Sequence, residues 1–173
     1  MSIERVKEFF KQHNMEEKVM EFETSSATVE LAAKAVGTIP ARIAKTLSFQ
    51  QKEGPHFLIV TAGDAKIDNV KFKSQFHTKA KMMKPEDVLA LTGYAVGGVC
   101  PFGIDEQVPV YLDVSLKRFS TVFPACGSSN SAIELDCETL FKLANGLEWI
   151  DVCKDWNSNS SPQQKHQCSP LRL

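Results

Sequence analysis

Ile43-Ala44-Lys45-Thr46-Leu47-Ser48-Phe49 is the stretch on which the fold and the function both turn. Two β-branched residues in a short run of alternating bulk predict a strand. Alternation puts Ile43, Lys45, Leu47 and Phe49 on one face and Ala44, Thr46 and Ser48 on the other. A lysine therefore sits in a row expected to point inward. An ammonium there either snorkels to water or meets an anionic or carbonyl partner in a cleft.

Outward from this strand, Gln51-Lys52-Glu53-Gly54-Pro55 has the composition of a turn, and His56 to Ala62 reads as its partner, so 43–62 forms a hairpin. Upstream, Ile3, Val6, Phe9 and Phe10 have helical spacing behind Ser2, and Lys18 to Phe22 reads as a short strand. Thr24-Ser25-Ser26 offers caps for a second helix with Val29, Ala32, Ala33 and Val36 inside, closed by Gly37. Downstream, helices are predicted around Asn69 to Phe76 and from Pro85 to Thr92, with a strand at Lys79 to Met83 between them. Val108 to Asp113 is a strand that Pro109 places near an edge. Strands at Ser120 to Pro124 and Ala132 to Leu135, a helix from Cys137 to Ala144 capped by Asp136, and a strand at Trp149 to Cys153 complete the body. Short helices interleaved with hairpins, without a regular βαβ rhythm, predict an α+β fold in a single domain. That domain spans residues 1–155, and residues 156–173, rich in Ser, Asn, Gln and Pro, read as a disordered polar tail.

The chain has 173 residues, 43% hydrophobic and 24% charged, which suits one globular domain with a full core. No run approaches a membrane span, and the first residues open into helical periodicity without a signal-peptide core, so a cytoplasmic protein is expected. The net charge of −1 excludes a polyanion binder that works by overall charge. Lys66, Lys71, Lys73, Lys79, Lys81 and Lys84 nevertheless form a local basic run, either a solvated face or a nucleic-acid contact. Five cysteines without a C-x-x-C pair and four scattered histidines point away from a zinc site and a disulfide framework, and no metal or cofactor is expected.

Gly97-Gly98-Val99-Cys100-Pro101-Phe102-Gly103 holds three glycines and a proline in seven residues. It is neither a Walker loop nor a dinucleotide fingerprint. It either connects strands tightly or exposes successive N–H groups to a carbonyl oxygen or phosphate. Gly127-Ser128-Ser129-Asn130-Ser131 is a small polar turn that either caps its own backbone or contacts a ligand. No G-x-S-x-G occurs. Cys100 is either a nucleophile or, between valine and proline, a small apolar filler.

Together, Ser26 to Ala33, Ile43 to Leu47, Gly97 to Gly103 and Gly127 to Leu135 resemble, in order and spacing, the YbaK/ProX family of aminoacyl-tRNA deacylases. These are related to the editing domain inserted in bacterial prolyl-tRNA synthetases. The resemblance covers roughly residues 1–155 and implies a curved, mostly antiparallel mixed sheet flanked by helices. It implies a cleft with Lys45 as its key side chain and with Gly97, Gly98 and Pro101 by the reacting ester. The resemblance implies that the turn Gly127 to Ser131 lines the same pocket, with Thr46, Ser128, Ser129 and Asn130 binding substrate, and Phe22, Thr24 and Ser129 are expected to shape the side-chain pocket. Members remove a wrongly attached amino acid by ester hydrolysis or by cyclisation of a thiol side chain. This chain has no histidine within 127–131, and carries Phe22 where thiol-directed members tend to have tyrosine. The amino-acid specificity therefore does not transfer.

The expected function is trans-editing of a small amino acid such as Ala, Cys or Ser on a non-cognate tRNA, with tRNA-Pro as the expected carrier. Water attacks the ester, the Gly97-Gly98 N–H groups hold the oxyanion, and Lys45 supplies positive charge. Expected partners are the aminoacyl-tRNA acceptor end and prolyl-tRNA synthetase, with no membrane. The alternatives are a non-catalytic tRNA- or synthetase-binding module of the same fold, and an unrelated hydrolase using Cys100.

Overall fold

The computed structural model describes residues 2–156. The expected polar tail lies outside the described residues, apart from its first residue. The fold is α+β and one domain. It is built on a six-stranded mixed sheet in the order β8-β6-β2-β3-β5-β9. Its strands are β2 (Ile43–Phe49), β3 (Phe57–Ala62), β5 (Val110–Asp113), β6 (Thr121–Pro124), β8 (Leu135–Asp136) and β9 (Glu148–Ile150). The helices are α1 (Ser2–Lys11), α2 (Val29–Val36), α3 (Asn69–Phe76), α4 (Pro85–Thr92) and α5 (Cys137–Leu143). Two further pairs stand apart: β1 (Met20–Glu21) with β7 (Ser131–Ala132), and β4 (Lys66–Ile67) with β10 (Cys153–Lys154).

The predicted hairpin forms with Lys45 opposite Thr61 and Phe49 opposite Phe57. Its two strands sit at the centre of the sheet, and every residue of β3 is buried. Antiparallel pairing joins β2 to β3 and β6 to β8, while β2–β6, β3–β5 and β5–β9 run parallel. Within the six-stranded sheet parallel pairs thus outnumber antiparallel ones, and the two small outlying pairs restore the antiparallel majority among the described strands.

Three local expectations are corrected. The strand around Val110 is interior, between β3 and β9. Pro109 does not force it to an edge, because it precedes the strand and its carbonyl accepts from Leu58 N–H at 2.9 Å, so its missing donor is not needed. The stretch Lys79 to Met83 forms only a bridge between Phe49 and Met82. Trp149 to Cys153 is not one strand. The Val152 N–H turns to the buried carboxylate of Asp113 at 2.8 Å, separating β9 from β10.

Side chains cap the starts of α2 and α3. Thr28, rather than the earlier hydroxyls, caps α2 by accepting from Leu31 N–H at 3.2 Å. Asp68 accepts from Val70 and Lys71 N–H groups at 2.9 and 3.1 Å to start α3. The main core gathers Phe10, Phe102, Phe49, Phe57 and Phe72 with the centre of the sheet. Ile43 joins a separate cluster with Ala32, Ala33 and Phe123. The row containing Lys45 therefore begins beneath α2, beside a cleft, while Ala44 on the other face enters the main core.

Candidate active site

Lys45 is half-buried on β2, and its Nζ donates to the Ala65 carbonyl at 2.7 Å and to the Gly63 carbonyl at 3.4 Å. Both acceptors lie in the turn that follows β3, closed by Ala65 N–H to Ala62 O at 3.1 Å. Burial lowers the pKa of the ammonium, while Cys153, Asp64 and Glu30 pull it back up. An ammonium has three donors, so one remains for a ligand.

The cleft beside Lys45 has a volume of about 350 Å³. The floor is β2 from Ile43 to Ser48. One wall is Ser26 to Val29 with Ala32, and the other holds Met82, Met83, Pro85 and Val88. Val96, Gly97 and Val99 of the glycine loop and Phe123, Ala125, Ser131 and Ala132 complete the lining. The lining is mainly apolar, but the hydroxyls of Ser26 and Thr46 are buried with no partner. An unpaired buried hydroxyl costs roughly 1–3 kcal/mol and is waiting for an acceptor or donor.

Gly97 and Gly98 divide the work expected of them jointly. Ala95 to Gly98 is a turn closed by Gly98 N–H to Ala95 O at 3.0 Å, with Gly97 at φ 102°. The Gly98 N–H is thus spent inside the loop. Among the described residues the Gly97 N–H makes no such bond, and Gly97 lies in the cleft lining. A Cβ at Gly97 would stand 3.3 Å from the Ala27 Cβ and 3.7 Å from the Ser129 Cβ, so the glycine loop fits between the wall and the polar turn.

A family model described as an aminoacyl-tRNA editing domain matches residues 23–143. The chain belongs to this family. It is 57% identical over 156 residues to "Uncharacterized protein YwhH" of Bacillus subtilis (strain 168), covering 90% of this chain and 99% of that one. It is 33% identical over 139 residues to "Putative Cys-tRNA(Pro)/Cys-tRNA(Cys) deacylase EbsC" of Enterococcus faecalis, covering 78% and 84% of the two chains. A solved structure titled "Crystal structure of a putative trans-editing enzyme for prolyl tRNA synthetase" superposes with a TM-score of 0.79 at 29% identity, over 88% of this chain and 97% of the other.

In this editing domain the polar turn acts first as a brace. Ser129 O accepts from Ser26 N–H at 2.6 Å, Asn130 O accepts from Phe22 N–H at 2.8 Å, and Asn130 Nδ2 donates to Phe22 O at 2.9 Å. The Ser128 hydroxyl is shared with Asn130 Oδ1 at 2.9 Å and Ser131 Oγ at 2.7 Å. Ser128, Ser129 and Asn130 therefore hold the Ser26 wall in place, and Ser131 is the turn residue that lines the cleft. Phe22 is half-buried and Thr24 exposed, both outside the lining. Pro101 lines a second cavity, next to Arg5 and Phe9, because the chain beyond Gly98 turns toward α1 and seats Phe102 against Phe10 at 4.9 Å between rings.

The structure thus brings together Lys45, Thr46 and Gly97 from the sequence-based set. Sequence reasoning named neither Ser26, Met82 nor Val96 as a site residue, and gave Ser26 only a place among the candidate caps of α2 and in a matched motif. Ser26 sits in a matched motif, but its value comes from a missing partner, which no pattern records. Met82 and Val96 are 52% and 63% exposed and both line the cleft. Cys100 is fully buried outside the cleft, and burial pushes its thiol up to about 12, the setting of a small apolar filler. Among the described residues no cluster of His, Cys, Asp or Glu could hold a metal, and no helix is long and apolar enough to cross a membrane.

Proposed function

We propose that residues 1–155 form a trans-editing deacylase that hydrolyses the ester between a small amino acid (Ala, Cys or Ser) and a non-cognate tRNA, with tRNA-Pro as the carrier. The observation that carries this reading is the convergence on one small apolar cleft of an ammonium with a spare donor, an uncommitted backbone N–H and two unpaired hydroxyls. Water is the nucleophile, since the cleft lining holds no cysteine or histidine. The Gly97 N–H faces the developing oxyanion, and Lys45 places positive charge at the carbonyl or at the phosphate of the terminal adenosine. The hydroxyls of Ser26 and Thr46 meet the polar edge of the bound aminoacyl ribose. In this reading the mainly apolar cleft receives the amino-acid side chain, and its shape acts as the second sieve of editing. Phe22, Ser128, Ser129 and Asn130 act through the wall they brace.

The acceptor end approaches over exposed Lys79, Lys81 and Lys84, which flank the segment carrying Met82. Lys71, by contrast, is committed to Asp151 at 3.0 Å and to the Cys153 carbonyl at 2.9 Å. The substrate makes this a cytoplasmic activity, and prolyl-tRNA synthetase the expected companion.

The test is a deacylation panel: Ala-, Cys-, Ser- and Thr-charged tRNAs with wild type and Lys45→Ala. Release of a small amino acid by wild type and its loss in the variant supports the proposal. Tight tRNA binding without turnover would replace it with a non-catalytic binding module.

A further inference from the structure

Lys45 is aimed by groups that never touch the cleft. A lysine stem is flexible, so an ammonium held at one point needs acceptors that are themselves held. Its acceptors are the carbonyls of Gly63 and Ala65. The residue between them, Asp64, turns its carboxylate to Arg118, whose Nη1 and Nη2 grip the two oxygens at 3.0 and 2.5 Å. This two-pronged geometry fixes orientation as well as distance. Arg118 is itself anchored: Nε donates to Ser115 O at 2.9 Å, Nη1 donates to Trp156 O at 3.2 Å, and the guanidinium lies over the Phe119 and Trp156 rings. Both partners are largely buried, with side chains 15% and 13% exposed. The turn has no slack on its other flank, because a Cβ at Gly63 would lie 2.2 Å from the Pro40 carbonyl oxygen.

We infer that Asp64 and Arg118 are positioning residues: their ion pair locks the 62–65 turn so that its carbonyls point the Lys45 ammonium at the substrate. Burying an ion pair is rarely the cheapest way to gain stability, since apolar residues of similar volume often do as well. Here the pair holds the one turn whose carbonyls receive Lys45. The inference rests on Lys45 as the substrate-contacting group of the proposed editing site.

The experiment uses Asp64→Asn and Arg118→Lys, with Asp151→Asn as a control that cuts only the exposed pair to Lys71. Two readouts are taken well below each variant's thermal midpoint. The first needs no activity: pulse acylation with an amine-selective reagent, with the Lys45 peptide quantified by mass spectrometry. In both variants Lys45 labels several-fold faster than in wild type, while Asp151→Asn labels at the wild-type rate. The second is deacylation kinetics, where kcat falls about tenfold and KM stays within about twofold, as expected when orientation is lost and binding is kept. Arg118→Lys keeps the charge but not the fork, so its agreement with Asp64→Asn assigns the effect to geometry. If Asp64→Asn fails to fold, Arg118→Lys decides by the same readouts. Wild-type labelling and wild-type kcat in the folded variants overturn the inference. If wild type deacylates nothing, the editing reading fails, while the labelling result still supports or overturns the bracket around Lys45.

Discussion

The backbone of Gly98 lies against that of Ser128 so closely that a Cβ on the glycine would stand 2.7 Å from the Ser128 nitrogen. The contact is backbone against backbone, and no rotamer change relieves it. Gly98→Val therefore pushes the glycine loop off the polar turn. We expect a lower thermal midpoint, a cost of about 1–3 kcal/mol, and loss of deacylation, because Gly97 moves with its neighbour. Normal activity would make the loop's approach irrelevant to the site.

Ser26→Ala separates binding from folding. The Ser26 hydroxyl is buried and unpartnered, while its N–H is held by Ser129. Removing the oxygen leaves the fold as stable or slightly more stable. If the hydroxyl meets substrate, kcat/KM falls by about 1–2 kcal/mol, roughly five- to thirtyfold. Chemical denaturation beside steady-state kinetics reads both numbers, and unchanged kcat/KM removes Ser26 from the site.

The pH dependence follows from Lys45. Burial holds its ammonium below the ordinary lysine value of 10.5. Between the lowered value and 10.5 the unfolded chain binds more protons, so stability rises with pH across that interval, and the burial cost is fully present below it. In the proposed mechanism activity runs the other way, because the same interval removes the positive charge assigned to Lys45. Catalysed deacylation, corrected for spontaneous ester hydrolysis, should decline at lower pH than a free lysine would dictate. Lys45→Arg, a permanent cation, should lose rate but flatten that decline. An unchanged alkaline limb in Lys45→Arg would exclude Lys45 titration as its cause.

Thiol reagents should leave the activity intact. Cys100 and Cys126 are fully buried, and burial raises both thiols. Iodoacetamide treatment of the folded protein near neutral pH is expected to leave deacylation unaltered. Inactivation that tracks Cys100 alkylation would overturn water as the nucleophile.

Charge reversal at Lys81 and Lys84 tests the approach of the RNA. The double variant to Glu should raise KM for charged tRNA with little change in kcat, and reduce the dependence of log KM on log salt concentration by about 1–2. A salt slope equal to wild type would place the acceptor stem elsewhere.

The β2–β3 hairpin, the helix starting at Pro85 and the α5 cap at Asp136 were legible in the sequence because each is decided by neighbours in the chain: alternation, a turn, a capping side chain. Lys45 was legible as an oddity, a charge in an apolar row. Pro109 misled, since its missing N–H matters only if the ladder needs it, and the ladder takes its carbonyl instead. Gly98 misled in the same way: two adjacent glycines suggested two free donors, and the turn to Ala95 consumed one. Asp64 and Arg118 stand 54 residues apart, and no local pattern joins them.

The parallel pairing of β3 with β5 ties Leu58 to Val110, and the cleft inherits this long reach. Its walls come from Ser26 at one extreme and Ala132 at the other, with Lys45 and Gly97 between. Parallel, non-local pairing is the slow part of folding, because loop closure precedes the contacts that reward it. The editing cleft is therefore assembled late, during synthesis only after the strand at 131–132 has left the ribosome. A nascent chain holding the Lys45 hairpin alone already has its lysine but not the cleft, whose walls come from segments as far along as Ala132.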